Sequence, residues 1–292
     1  MTATPHTPKD IGRLLVRGQD RPRIVSAVST LLSDLGANII SLDQYSTDPE
    51  SGRFFQRTEF HLQDLAARID ELRLALGDKL GSLDLEWELV DATRRKRVAI
   101  FVSKIDHCLL DLLWRNRRGD FNVDISMVIS NHPDLGDDVR QFNIPYIHVP
   151  VAKDDKASAE RRHLELLKGN VDFIVLARYM QILSSDFLDQ VGVPVINIHH
   201  SFLPAFIGAG PYQKAKDRGV KLIGATAHYV TKDLDEGPII EQDVVRVTHA
   251  NTAAELMQRG ADVERLVLAK AVAWHSEDRI LRDGNTTVIF RK

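Results

Sequence analysis

Val195-Ile196-Asn197-Ile198-His199-His200-Ser201-Phe202-Leu203-Pro204 begins as an apolar strand and runs straight into an amide, two imidazoles and a hydroxyl. A short apolar run bounded by polar residues reads as a buried strand of a helix-covered sheet. In open α/β sheets the ligand crevice lies beyond the carboxyl ends of the strands. The end of this strand is therefore a candidate reaction centre.

Outward from that stretch, strands alternate with helices. Residues 98–102 are wholly apolar, residues 108–118 carry leucines at helical spacing, and residues 123–130 form the next strand before a turn at Asn131-His132-Pro133. A short strand over 146–150, a helix over 156–168, a strand over 171–176 and a helix over 184–190 complete the alternation. That order predicts a mostly parallel sheet of the Rossmann-like, doubly wound kind. Two further extended runs, 223–230 and 239–247, flank Asp233-Leu234-Asp235-Glu236-Gly237-Pro238 and either extend the sheet with antiparallel strands or form a neighbouring hairpin. Helical periodicity then runs from 253 to 281, with a break expected near Gly260, before a last strand over 287–290.

Towards the amino terminus the pattern differs. Residues 13–17 read as a strand, and Asp20-Arg21-Pro22 opens a helix through Ile24, Val28, Leu31, Leu32 and Leu35 that Gly36-Ala37-Asn38 ends. Strands over 39–44 and 54–62 are joined by the turn around Asp48-Pro49-Glu50-Ser51-Gly52, and a helix over 65–80 and a strand over 83–90 follow. The order is βαββαβ, an open sheet with both helices on one face. The chain thus divides into a domain over 9–90, a polar connector over 91–97 and an α/β domain over 98–292.

Composition narrows the function classes. The 292 residues, 43% of them hydrophobic, suffice for two cores. A net charge of -3, from 38 basic and 41 acidic residues, offers no field for nucleic acid or an acidic membrane. Cys108 is the single cysteine, so an intrachain disulfide and a zinc site on paired cysteines are both ruled out. The leading Thr-Ala-Thr-Pro-His-Thr-Pro has no apolar signal core, and no charge-free apolar run approaches the roughly 18 residues that would suggest a membrane helix, so a cytoplasmic location is expected.

The residues at the strand end have complementary chemistry. Asn197 presents a carboxamide that donates a directed hydrogen bond to a developing oxyanion, and His199, two residues on, points to the same side if the extended geometry continues. Asp235 lies in a remote loop, where a carboxylate orients water or favours a charged imidazole. The same residues also fit a structural role: an amide satisfying strand-end groups, a buried hydrogen-bonding histidine and a turn-capping aspartate. His200 has the weaker claim, because an adjacent side chain need not face the same space.

Three segments decide between these readings. Asn197 to Phe206, Gly224-Ala225-Thr226-Ala227-His228-Tyr229-Val230 and Leu234-Asp235-Glu236-Gly237-Pro238-Ile239-Ile240 together resemble the folate-dependent formyltransferase fold, and most closely the formyltetrahydrofolate deformylase family. The resemblance covers nearly the whole chain, including an amino-terminal ACT domain carried by Asp20-Arg21-Pro22-Arg23-Ile24-Val25 and Gly36-Ala37-Asn38-Ile39-Ile40. It implies hydrolysis of 10-formyltetrahydrofolate to tetrahydrofolate and formate, supplying formate for one-carbon and purine metabolism, with no metal or other cofactor. It also implies Asn197, His199 and Asp235 as catalytic residues. The loop Ala177 to Ser184, with Met180, Gln181, Ile182 and Leu183, would contact folate, and Val230, Thr231 and Asp233 would form the opposite wall around the pterin.

Hydrolysis rather than transfer rests on another segment. The related enzyme that formylates glycinamide ribonucleotide carries a glycine-rich phosphate loop after its first strand, whereas this chain has Ser103-Lys104-Ile105-Asp106-His107-Cys108. Side chains in place of glycines weaken a phosphate cradle and leave water as the acceptor. By resemblance, the ACT-like domain pairs subunits into a homo-oligomer and holds an amino-acid effector, although Arg23 stands where ACT domains commonly have glycine.

Overall fold

The computed structural model describes residues 9–48, 50–152, 154–204 and 211–291. The leading residues, Pro49 of the first-domain turn and the Ala205-Phe206 end of the motif lie outside the described residues. Two compact units emerge, one of residues 1–95, 277–283 and 288–292, the other of residues 96–276 and 284–287. The division falls within the expected connector, which is shorter than 91–97 because strands continue through Asp91 and resume at Lys96. Residues 277–283 and 288–292 join the first unit, whereas the expectation of 98–292 carried them with the second.

The first unit contains β1 (Ile11–Gln19), α1 (Ile24–Asp34), β2 (Asn38–Ser46), β3 (Arg53–His61), α2 (Leu65–Gly81) and β4 (Leu85–Asp91). Its sheet order is β2-β3-β1-β4, with antiparallel pairing throughout. Leu14 and Val16 of β1 alternate inward against Ile24, Val28 and Leu32 of α1 and Leu65, Leu72, Leu76 and Leu80 of α2, where period two on the strand meets period 3.6 on the helices. Arg23 stands at the N-cap of α1 in the left-handed region at φ 79, a conformation that suits glycine, and its side chain makes no capping hydrogen bond.

On the sheet's other face, Phe55 packs with Leu281 and Phe290. Arg57, 1% exposed, holds that carboxyl-terminal segment through the carbonyl oxygen of Glu277 at 3.0 Å and pairs with Glu59 at 2.9 Å. A buried guanidinium is tolerable only with such partners.

The second unit contains β5 (Lys96–Val102), α3 (His107–Arg118), β6 (Val123–Ser130), α4 (Gly136–Arg140), β7 (Tyr146–His148), α5 (Lys156–Leu167), β8 (Phe173–Leu176), α6 (Ser185–Val191), β9 (Val195–His199), α7 (Pro211–Arg218), β10 (Leu222–Tyr229), β11 (Ile239–Arg246) and α8 (Ala253–Ser276). The sheet order is β11-β10-β9-β8-β5-β6-β7. Strands β9 to β7 of that series pair in parallel, and β10 and β11 extend the sheet in antiparallel register. Phe173 to Leu176 are all buried, as expected for a strand covered on both faces.

The helix expected over 253–281 ends at Ser276 and is unbroken at Gly260. Thr252 and Glu255 start it with reciprocal bonds, Thr252 N donating to Glu255 Oε2 at 2.7 Å and Glu255 N to Thr252 Oγ1 at 3.2 Å. Gly260 is a site of close approach, since a Cβ there would stand 1.9 Å from Tyr212 Oη. Residues beyond the helix form the hairpin of β12 (Ile280–Asp283) and β13 (Thr286–Ile289). No helix among the described residues is long and apolar enough to cross a membrane.

Candidate active site

Three neighbouring strands position the site. β9 lies between β8, which it pairs in parallel with Leu176 opposite Asn197, and β10, which it pairs antiparallel with Asn197 opposite His228 and His199 opposite Thr226. Strand alternation puts Asn197 and His199 on one face, with His228 and Thr226 as their cross-strand neighbours. Thr226 Oγ1 donates to Ser201 O at 2.9 Å and accepts from Leu203 N at 3.1 Å, tying the chain that leaves His199 to β10.

The loop after β10 brings in Asp235, whose φ is 58. Its Oδ2 lies 3.2 Å from His199 Nδ1, and its Oδ1 lies 3.7 Å from His228 Nε2. The neighbouring His199 imidazole holds the Asp235 carboxyl well below the usual carboxylate range against the opposing effect of burial. Gly237 lets the loop fold this closely, because a Cβ there would stand 1.8 Å from Tyr229 O. With Nδ1 engaged by Asp235, the buried Nε2 of His199 has no hydrogen-bond partner among the described residues and remains available to a reacting group.

His228 is the residue that sequence reasoning missed. Its Nδ1 lies 3.0 Å from Tyr229 O, a contact that only an N–H satisfies, which leaves Nε2 to accept from Asn197 Nδ2 at 3.2 Å. The imidazole therefore fixes the rotation of the Asn197 amide. The available signal was polar Thr226 and His228 at alternate positions of an otherwise apolar strand.

A second polar cluster lies at the ends of β5 and β8. Ser103 Oγ donates to Asn131 Oδ1 at 2.7 Å and accepts from Met180 N at 3.0 Å. Glu264 of α8 accepts from His107 Nε2 at 2.8 Å and from Tyr212 Oη at 2.7 Å. Burial works against its ionisation, but His107, the Arg178 charge and the Tyr212 hydroxyl together hold it below the usual range. His107, Cys108 and Glu264 offer ligand atoms within 4.8 Å of one another. Burial pushes the Cys108 thiol well up, away from the thiolate that a metal needs, and Arg178 Nη1 stands 3.5 Å from Glu264, so the cluster is furnished as a protein network rather than a cation cage.

The loops flanking the site are amphipathic. Met180 and Ile182 are 56% and 60% exposed, large values for apolar side chains, and Gln181 is half-buried beside them. Leu183 and Val230 pack against the core cluster of Val195 and Phe187 instead. Thr231 Oγ1 donates to Asp233 O at 3.2 Å, shaping the opposite loop, and Asp233 is exposed.

Residues 96–272 match the formyl transferase family and residues 12–73 match the ACT domain. The chain is 60% identical over 285 residues to a formyltetrahydrofolate deformylase of Mycobacterium bovis, covering 96% of this chain and 91% of the relative. It is 52% identical over 283 residues to that of Bacillus subtilis, covering 97% and 94%. A crystal structure of a formyltetrahydrofolate deformylase from Pseudomonas syringae superposes with a TM-score of 0.92 at 44% identity, covering 96% of this chain and 94% of that one. The chain belongs to the formyltetrahydrofolate deformylase family.

As a formyltetrahydrofolate deformylase, the chain joins an ACT-type unit to a formyltransferase-type unit. The match extends through both units, and the sheet of the second brings Asn197, His199 and Asp235 together around His228. In the segment from Ser103 to Cys108, Ser103 bonds Asn131, His107 bonds Glu264 and Cys108 is buried, whereas Lys104, Ile105 and Asp106 are exposed.

Proposed function

We propose that Asn197, His199 and Asp235 carry out this enzyme's reaction, the hydrolysis of 10-formyltetrahydrofolate to tetrahydrofolate and formate. Water adds to the formyl carbon, and the amide N–H of Asn197 together with His199 Nε2–H stabilises the tetrahedral oxyanion. Asp235 orients the water and supports the charged form of His199. When the C–N bond breaks, one proton passes to the departing folate nitrogen and the second is released as the product ionises to formate. Met180, Gln181, Ile182 and Leu183 on one side and Val230, Thr231 and Asp233 on the other form the folate walls in this reading. The chemistry runs without a metal, because side chains alone supply the oxyanion donors and the carboxylate.

The observation that carries this assignment is the engaged Nδ1 and unpartnered Nε2 of His199, one nitrogen 3.2 Å from a carboxylate and the other buried without a bond. Formate release from purified protein given 10-formyltetrahydrofolate alone, stoichiometric with tetrahydrofolate, is the expected result. Turnover that appears only when an amine is added reassigns the enzyme to transfer.

The ACT-type unit serves self-association in this reading, with an amino-acid effector held between subunits. Support comes from β2, an edge strand on which Ile40, Leu42 and Tyr45 remain exposed. Light scattering that gives a monomer mass would remove it.

A further inference from the structure

Arg178 is a buried charge that the reaction as derived does not use. It follows β8 by two residues, at φ 63, and its carbonyl accepts from Ser103 N at 3.3 Å. It lies two residues beyond Leu176, the partner of Asn197, and its charge acts on His200, whose ring centroid is 5.2 Å from that of His199. The residue is only 9% exposed, and its Nε and Nη1 are buried without a hydrogen-bond partner among the described residues.

Glu264 does not absorb those N–H groups. Its Oε2 stands 3.5 Å from Arg178 Nη1, beyond the roughly 2.7–2.9 Å of a charge-assisted bond. Both carboxylate oxygens already accept bonds, one from His107 at 2.8 Å and one from Tyr212 at 2.7 Å. Glu264 thus balances the charge of the guanidinium while leaving its donors unfilled. His200, between the two clusters, is lowered to about 4 by burial and by the charges of Arg178 and His199, so it is neutral near pH 7 and Arg178 is the fixed cation on this side of His199.

Unfilled N–H groups on a buried guanidinium are costly, and a small anion that accepts from them offsets that cost. The hydrolysis changes a neutral formyl group into a carboxylate at this strand end. We propose that Arg178 is a product-binding residue that takes up formate as it leaves the reaction centre, an inference that rests on the hydrolytic reading above. Because the substrate's formyl group is neutral and the product is an anion, Arg178 favours the product and draws it away from the folate nitrogen.

The test is a titration of the full-length enzyme with 13C-labelled sodium formate, followed by NMR, on wild type, Arg178→Met and Arg178→Lys. The wild type binds formate saturably, Arg178→Met binds at least tenfold more weakly, and Arg178→Lys falls between. Formamide, neutral and of similar size, shows no dependence on residue 178. Where Arg178→Met fails to fold, Arg178→Lys and the formate-to-formamide ratio carry the comparison. Equal formate affinity in wild type and a folded variant, or no saturable binding in wild type, overturns the proposal. Binding that depends on Arg178 in a protein releasing no formate from 10-formyltetrahydrofolate overturns the product assignment by way of the hydrolytic reading, and locates the failure there.

Discussion

His199 Nδ1 lies 3.2 Å from Asp235 Oδ2, although one residue ends a parallel strand and the other sits in the loop beyond an antiparallel one. A carboxylate at that distance orients the imidazole and stabilises its charged form. Replacing it with an amide keeps the shape and removes the charge. Asp235→Asn is expected to lower turnover about 10²–10⁴-fold, the span of acid–base assistance, and to lower the melting temperature at neutral pH while the variant still folds. Formate release within a few fold of wild type from a folded Asp235→Asn protein defeats the role.

The same carboxylate gives a signed pH dependence. Its folded pKa is depressed by His199, so its stabilising contribution is complete above the unfolded value of about 4 and declines as pH falls below it towards the folded value. The melting-temperature difference between wild type and Asp235→Asn should therefore be constant from neutral pH to about 4 and shrink below that. A difference that shrinks between pH 7 and 5 would assign the linkage to another group.

His228 acts through Asn197 and is a positioning residue. With Nδ1 committed to Tyr229 O, its Nε2 accepts from the Asn197 amide at 3.2 Å. His228→Ala frees that amide to rotate, and kcat should fall about tenfold, the equivalent of one ordinary hydrogen bond of about 1–1.5 kcal/mol, while KM holds. His228→Gln, whose carbonyl also accepts, should restore part of the loss. A change in KM with kcat intact contradicts this chain of contacts.

Much of this arrangement was legible in the chain, and the limits have physical causes. The βαββαβ order of the first unit followed from local periodicity, since each strand and helix there buries one regular face. Asn197 and His199 were paired by strand parity alone. Asp235 was a candidate by its chemistry, but its contact with His199 was not legible, because a loop residue's partner is set by how the loop folds back, which depends on Gly237 meeting Tyr229 O. His228 and Arg178 stood within quoted segments without a role: their chemistry follows from strand register, which no local pattern states. The break expected at Gly260 failed for the same kind of reason, since that glycine answers to Tyr212 rather than to helix propensity.

Gly237 offers a test of that loop closure. A methyl at this position would stand 1.8 Å from Tyr229 O, so the backbone between Tyr229 and Pro238 must open. Gly237→Ala is expected to cost about 1–3 kcal/mol of stability and to lower turnover further by displacing Asp235. A crystal structure of the variant with the His199–Asp235 contact intact, together with a wild-type melting temperature, would show that the closeness is not structural.

Met180 and Ile182 expose apolar side chains beside the reaction centre at 56% and 60%. Such exposure is unfavourable unless a ligand covers it. If the folate ring system lies on this loop, Ile182 loses its contact with water on binding and contributes about 1.5 kcal/mol, roughly tenfold in affinity. Ile182→Ser should therefore raise KM for 10-formyltetrahydrofolate about tenfold with kcat and melting temperature close to wild type, because the side chain packs little in the free protein. Leu183→Ser, by contrast, removes a side chain already packed against the core cluster of Val195 and Phe187, and its effect should appear first as lost stability. Equal losses of stability in the two variants would mean that the loop is held as one packed unit, and the assignment of Ile182 to folate would fall.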